Sequence, residues 1–228
     1  LILVMSYFKY FLSLMIFICF LNVNSQTPPL NIQQLAHVPN SSLMVPSDLS
    51  DIWGWVDSAG NEYAIVGTND GTSIFDLSDP TIPQVVLFVP GMDSIWRDIK
   101  TYGHYEYVTT EAYNGILIID LSNLPDSTNT NTYIYSGPSS NPWLRAHNLF
   151  IDDRGYAYIF GANRGVGGAI ILDLNQDPTQ PVEVADINNW EVHDGMVKGD
   201  TLFLAHAGNS IFSIWDVSNP ANPLLLGQ

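Results

Sequence analysis

A short apolar–acidic–apolar triplet followed by a polar turn recurs four times in this chain. The four copies are Phe75-Asp76-Leu77, Ile119-Asp120-Leu121, Leu172-Asp173-Leu174 and Trp215-Asp216-Val217. Their aspartates are separated by 44, 53 and 43 residues. This period is that of a four-stranded propeller blade rather than of a helical repeat. The repeat therefore constrains the fold more than any other feature of the chain.

Each repeat contains the same order of β-like segments. A Trp-containing run comes first, and an aromatic or β-branched segment such as Tyr63–Val66 comes second. The triplet is third, and a Pro-bounded apolar segment such as Gln84–Val89 is fourth. Hairpin signals such as Asn69-Asp70-Gly71 separate these segments. The pattern predicts an all-β fold, a β-propeller of four-stranded blades, with about four blades present and the ring incomplete.

The first 25 residues read as a signal peptide. Met5 is the expected start, residues 1–4 read as upstream translation, and Lys9 precedes the apolar run Phe11–Leu21. Small residues then allow cleavage near Ser25. The alternative is an uncleaved anchor, but the run is short for a full membrane span. We expect a protein that is secreted or displayed at the cell surface, with no membrane span in the mature chain.

The composition excludes several other classes of function. Cys19 is the only cysteine and lies in the leader, where bulky Ile18 disfavours a lipoprotein signal. The mature chain would therefore lack disulfides, thiolate metal sites and a cysteine nucleophile. With 23 acidic against 7 basic residues and a net charge of −16, it has no basic footprint for nucleic acid. We expect an extracellular protein or glycan as partner.

The repeats occupy residues 47–228, and residues 26–46 form a separate N-terminal segment. Within that segment Ile32–Val38, followed by Pro39, resembles the fourth-strand segment Gln84–Val89, followed by Pro90. We predict that it supplies the outer strand of the last blade in the full-length ring, because a paired edge avoids aggregation. Gln228 falls inside a fourth strand, which predicts a C-terminally truncated chain.

Five stretches of the repeats form a specific pattern: Asp51-Ile52-Trp53-Gly54-Trp55, Tyr63-Ala64-Ile65-Val66-Gly67, Trp96-Arg97-Asp98-Ile99-Lys100, His147-Asn148-Leu149 and His193-Asp194. These stretches resemble the LVIVD repeat of exported bacterial and archaeal proteins, and their order resembles the choice-of-anchor B family. The resemblance implies a propeller domain attached to or released from the cell surface, in a family whose members differ in their C-terminal attachment.

Polar residues of the first strands form the predicted site. Aligning the repeats on their aspartates puts one residue of each first strand in a common column, and a neighbour one place on. The column contains Gly54, Asp98, His147 and His193, and the neighbours are Trp55, Asn148 and Asp194. If first strands are innermost, these side chains line the central channel. His147, His193 and Asp98 would suit a divalent metal, or the cluster could act as general acid and base. The alternative is that they hydrogen-bond the backbone of adjacent blades.

The sequence thus favours a non-catalytic propeller that presents a binding surface, with no catalytic residue assigned and a divalent metal as the one cofactor considered. The alternative is a secreted hydrolase or lyase that uses Asp98, His147, His193 and Asp194. The triplet aspartates are expected to cap turns. The glycine-rich stretch Gly161–Gly168 lacks the Lys-Ser/Thr of a phosphate-binding loop and is interpreted as a hairpin loop.

Overall fold

The computed structural model describes residues 31–228, so the predicted leader lies outside the described residues. From Ala36 to Gln228 the chain forms one compact unit. The described part contains sixteen strands and two short 3-10 helices, Asn40–Ser42 and Ala207–Asn209. No helix within residues 31–228 is long and apolar enough to cross a bilayer.

The strands form four antiparallel sheets in which neighbours pair in chain order. Blade 1 contains β1 (Leu49–Val56), β2 (Glu62–Thr68), β3 (Gly71–Asp76) and β4 (Gln84–Pro90). Blade 2 contains β5 (Arg97–Tyr102), β6 (Tyr105–Thr110), β7 (Ile116–Asp120) and β8 (Thr132–Tyr135). Blade 3 contains β9 (Asn148–Ile151), β10 (Tyr156–Phe160), β11 (Ala169–Asp173) and β12 (Val182–Ile187). Blade 4 contains β13 (Asp194–Lys198), β14 (Thr201–His206), β15 (Ile211–Asp216) and β16 (Leu224–Gly227). The predicted all-β propeller architecture of four blades is confirmed.

The middle strands of blades 2 and 3 are apolar on both faces because each of these blades is packed between two neighbours. In blade 2, Tyr107 and Ile118 pack into the core shared with blade 3, whereas Val108 and Ile119 pack into the core shared with blade 1. This is the period of two that strand geometry imposes. Burial of one such large side chain stabilises the fold by about 1.5–3 kcal/mol. The apolar layers between successive blades therefore hold the arc together.

The triplet aspartates cap turns, as the sequence predicts. Oδ1 of Asp76 accepts a hydrogen bond from the backbone N–H of Ser78 at 2.7 Å. The same bond, two residues ahead, recurs at Asp120 (3.0 Å), Asp173 (2.9 Å) and Asp216 (2.8 Å). The hydroxyl and the amide of Ser218 lower the pKa of Asp216. Each triplet thus ends its third strand in a fixed turn.

The first strands lie side by side along the inner edge of the arc, and the arc is not closed into a ring. Two carboxylates join them across the blade boundaries. Oδ2 of Asp51 accepts from the backbone N–H of Ile99 at 2.9 Å, and Oδ2 of Asp98 accepts from that of Leu149 at 2.8 Å. These bonds set the spacing of the inner strands of blades 1 to 3.

The segment before blade 1 contains no strand between residues 32 and 39. Val38 instead packs beside Leu43, Val66 and Phe75 on the outer face of blade 1. Each described blade has a fourth strand of its own. The pairing of residues 32–38 with a last blade of a full-length ring stays a prediction.

Candidate functional site

One edge of every blade carries the start of the first strand and the end of the second strand, because the strands are antiparallel. We call this edge of the arc the upper face. It contains a pocket of about 580 Å³ built from blades 2, 3 and 4. Its polar and aromatic lining residues are Trp96, Glu111, Arg145, His147, Asn163, Glu191 and His193. This is the upper pocket.

His147 lines the upper pocket and joins blades 2 and 3. Its backbone N–H donates to the carbonyl oxygen of Phe160 at 3.0 Å, which fixes it just before β9. Its Nδ1 is 2.6 Å from Oε1 of Glu111, the residue that follows β6. A carboxylate at this distance fixes the tautomer and the orientation of an imidazole. The pair therefore presents an oriented imidazole to the upper pocket.

Two more rings lie next to His147. The His193 ring is centred 4.3 Å from the His147 ring, with 53° between the ring planes. The Trp96 ring is centred 6.1 Å away on a residue that is half exposed. The His193 backbone N–H donates to the carbonyl oxygen of Ala205 at 2.9 Å, just before β13. Connectors before three successive blades thus bring three rings into contact.

The loop between β10 and β11 forms one wall of the upper pocket. Gly161 has a φ of +63°, and a Cβ added there would lie 2.9 Å from Cβ of His147. The guanidinium of Arg164 fastens the loop to β12, with contacts of 2.9 and 2.5 Å to the carboxylate of Glu183 and 3.0 Å to that of Asp186. The interpretation of Gly161–Gly168 as a hairpin loop is confirmed, and the loop also borders the predicted histidines.

A second cavity, of about 470 Å³, lies along the inner strands and is lined by Asp98, His147, Asn148 and His193. We call it the inner cavity. Trp55 lines neither of these cavities, because it packs on Tyr63 and is 8% exposed. Its Nε1 donates to the carbonyl oxygen of Gly103 at 2.9 Å, across the boundary between blades 1 and 2. The structure therefore places Trp55 between blades rather than at the channel.

Asp194 also lies apart from the two histidine-lined cavities. Its Oδ1 accepts from the backbone N–H of Gly195 at 2.7 Å. Its side chain borders an exposed depression on blade 4 together with Met196 and Phe212. Asp194 is therefore not in position to orient the His193 ring.

The strand register differs by one position from the column predicted by repeat alignment. Asp98, Asn148 and Asp194 occupy equivalent positions, opposite Thr109, Phe160 and Ala205 respectively. His147 and His193 each precede that position by one residue. Asp51 makes the same bond as Asp98 to the next blade, so Asp51 rather than Gly54 is its counterpart in blade 1. The predicted column was displaced for two reasons. The blades differ in hairpin length, and the register of β1 is irregular between Leu49 and Ile52. An alignment on the triplets detects neither difference.

Asp98 has protein partners at both carboxylate oxygens. Besides the bond to Leu149, its Oδ1 lies 2.8 Å from Nζ of Lys100. Burial raises the pKa of Asp98 to about 6, against the opposing effect of the Lys100 charge. The carboxylate in contact with His147 is that of Glu111 rather than that of Asp98.

The metal hypothesis concerns His147, His193 and Asp98. Within residues 31–228 no group of three or more His, Cys, Asp or Glu side chains is arranged to hold a metal ion. Metal binding by these three residues stays a prediction.

Sequence reasoning missed Glu111, Trp96 and Glu191. Trp96 and Glu191 each lie two residues before a position that the alignment did select, Asp98 and His193 respectively, in the connectors before the first strands. Glu111 carries no motif. Only the topology could have indicated Glu111. Second strands end, and first strands begin, at the upper face of the arc. Residues just after β6 of blade 2 therefore lie near the connector before β9 of blade 3.

His206 is the last residue of β14 and is buried. Its Nδ1 lies 2.8 Å from the carbonyl oxygen of Glu191, and its Nε2 lies 2.7 Å from Oγ of Ser213. His206 therefore supports the connector that carries Glu191 and His193. The sequence gives no signal for this role.

The blades, the inner strands and the upper pocket define a β-propeller with a polar site on one face. Residues 95–130 and 191–228 match the family model of the LVIVD repeat. The chain therefore carries LVIVD repeats in blades 2 and 4, as its motifs predict, while membership of the choice-of-anchor B family stays a prediction. No curated protein matches the sequence significantly.

A solved structure described as "Structure of YjhT" is similar to this chain, with a TM-score of 0.50 and 11% sequence identity. The match covers 84% of this chain and 66% of the YjhT chain, so this chain spans just under two thirds of that protein's length. At this identity the similarity concerns the fold alone.

Proposed function

We propose that the protein is an exported, non-catalytic β-propeller that binds an extracellular glycan or protein through the upper pocket. The observation that carries this proposal is the pocket itself, which connectors and hairpins of three successive blades line with half-buried and exposed polar and aromatic side chains. Its volume of about 580 Å³ is in the range of small-ligand sites. Export is supported by the order of charged, apolar and small residues in the leader.

Binding rather than catalysis is supported by the positions of the predicted acid–base residues. Asp98 holds the inner strand of the next blade, and Asp194 bonds to its own neighbour. Asp98, His147 and His193 line the inner cavity together, but Asp194 lies outside it. Both carboxylate oxygens of Asp98 already have protein partners, the Leu149 N–H and the Lys100 ammonium.

The binding proposal is tested by screening the purified protein on a glycan array and against labelled extracellular proteins. We expect His193→Ala and Glu111→Gln to weaken the selected interaction at least about tenfold, as central residues of binding sites commonly do. The matched control is His104→Ala, an exposed histidine at the opposite edge of blade 2. Affinity that is equal in wild type and both pocket variants would exclude the upper pocket as the binding site.

Export is tested separately by expressing the chain with its own leader. We expect mass spectrometry of the secreted protein to find an N-terminus near Gln26. Secreted material that begins at Met5 would contradict cleavage near Ser25.

An acid–base enzyme is the second candidate, and the contact of 2.6 Å between Glu111 and His147 favours it. A carboxylate-oriented imidazole is the arrangement that general-base catalysis uses. The test is turnover of nitrophenyl glycosides and of uronate-containing polysaccharides, followed by absorbance. Activity that disappears in His147→Ala but persists in His104→Ala would establish the enzyme in place of the binding module.

A further inference from the structure

The upper pocket contains a carboxylate without a cationic partner. Glu191 is half-buried in the connector before β13, and no hydrogen bond or ion pair to its carboxylate occurs within residues 31–228. The other acidic residue of the pocket, Glu111, is in contact with His147 through one oxygen. The pocket is therefore acidic, in a chain whose net charge is −16.

Arg145 lines the pocket and Arg164 lies beside it, but neither forms an ion pair with these carboxylates within residues 31–228. The guanidinium of Arg145 lies over the ring of Tyr113, 5.7 Å from its centroid, and Arg145 makes no ion pair within the described part of the chain. Arg164 is held by Glu183 and Asp186. The charged lining of the pocket thus consists of two carboxylates, Glu111 and Glu191, and one guanidinium, Arg145, so negative charge predominates and favours a cationic ligand.

An aromatic face lies beside this negative charge. Trp96 is 52% exposed and lines the same pocket as Glu191. Its backbone is held by Ser94, whose Oγ donates to the Trp96 carbonyl oxygen at 2.9 Å and accepts from the Trp96 N–H at 3.2 Å. These bonds hold the backbone that carries the ring at the rim of the pocket. The face of a tryptophan ring attracts cations more strongly than any other side-chain ring.

We infer that the upper pocket binds a primary ammonium group, with Glu191 supplying the negative charge and Trp96 the aromatic face. An ammonium group donates three hydrogen bonds, so it can bond to carboxylates and also lie against a ring. A quaternary ammonium could not donate to Glu191 or Glu111. The carrier of the group is either an amino sugar or a lysine side chain. This inference rests on the proposed binding function and specifies the ligand of the same site.

The test is calorimetric titration of the purified protein at low salt and mildly acidic pH, where the amino groups of both probes are protonated, with two ammonium probes and their acetylated forms. The probes are the tetramer of glucosamine and Nα-acetyl-lysine methylamide, and the acetylated forms are the tetramer of N-acetylglucosamine and the diacetylated lysine derivative. We expect only the ammonium forms to bind, and the tighter of the two identifies the carrier.

Two pocket variants and one control locate the interaction. Glu191→Gln and Trp96→Leu are each expected to weaken binding about fivefold, which corresponds to about 1 kcal/mol. The matched control is Glu62→Gln, an exposed glutamate at the start of β2 and at the opposite edge of its blade, which should leave affinity unchanged. Both pocket residues are solvent-accessible, and circular dichroism of the variants verifies folding.

Each other outcome overturns the inference in a distinguishable way. Equal binding of ammonium and acetylated forms would reject the cation while leaving the proposed binding function in place. Binding of the ammonium forms that neither pocket variant weakens would reject this site. If no probe binds, the ammonium inference is wrong, and the array and protein screen decides the broader function independently.

Discussion

Glu106 gives the protein a stability that depends on pH. It lies in β6, two residues from Val108 and therefore on the strand face that packs against blade 1. Its side chain is fully buried, and neither carboxylate oxygen has a hydrogen-bond partner within residues 31–228. Removal from water disfavours the charged form, so the pKa of Glu106 rises from 4.5 to about 8.

The direction of the pH effect follows from proton binding. Between the two pKa values the folded protein keeps a proton on Glu106 that the unfolded chain has lost. The free energy of unfolding therefore falls as pH rises, by about 1.4 kcal/mol per pH unit. The stabilisation is fully present below pH 4.5 and has been lost once the pH passes about 8. Over this interval the loss amounts to roughly 5 kcal/mol, a large part of the stability of an ordinary domain.

We expect Glu106→Gln to remove this dependence, because an amide of the same shape does not titrate. Guanidinium denaturation followed by tryptophan fluorescence, repeated across that pH interval, measures the free energy of unfolding. The difference between variant and wild type should grow with pH and level off above about 8. Asp98, whose pKa is raised to about 6, contributes equally to both proteins. The control Glu62→Gln should follow the wild type, and parallel profiles for Glu106→Gln and wild type would refute the reasoning.

Three further predictions concern the upper pocket. Arg164→Met should lower the free energy of unfolding by about 3 kcal/mol, measured by denaturation, because it leaves two carboxylates of β12 without their cation. Gly161→Ala should cost more than Gly199→Ala in the same assay: both have φ near +60°, but only Gly161 adds a Cβ close to His147. If the histidine pair binds a divalent ion as the sequence predicts, zinc should raise the melting temperature of the wild type but not of His193→Ala. Equal costs for the two glycine changes, or an equal zinc effect in both proteins, would contradict the last two predictions.

The sequence by itself determined the blades, because the interactions that form a blade are local. Asp76 and its three counterparts bond to the backbone only two residues ahead, so each triplet ends its strand without help from distant residues. The hairpins join strands that are adjacent in the chain. The alternation of Tyr107 and Val108 between two neighbouring cores follows from strand geometry once the strand is recognised. The order and number of strands could therefore be predicted from the residues.

Only the tertiary structure decided which side chains form the site. Glu111 and His147 are 36 residues apart and belong to different blades, so their contact depends on the angle and offset between two packed sheets. The irregular register of β1 likewise makes Asp51, rather than Gly54, the counterpart of Asp98. The spacing of the triplets in the sequence does not show this shift. Burial of Glu106 depends on the neighbouring blade as well. The pattern of strands is determined by contacts between residues that are close in the chain. The site is determined by packing between blades, and no local sequence pattern specifies how two blades pack.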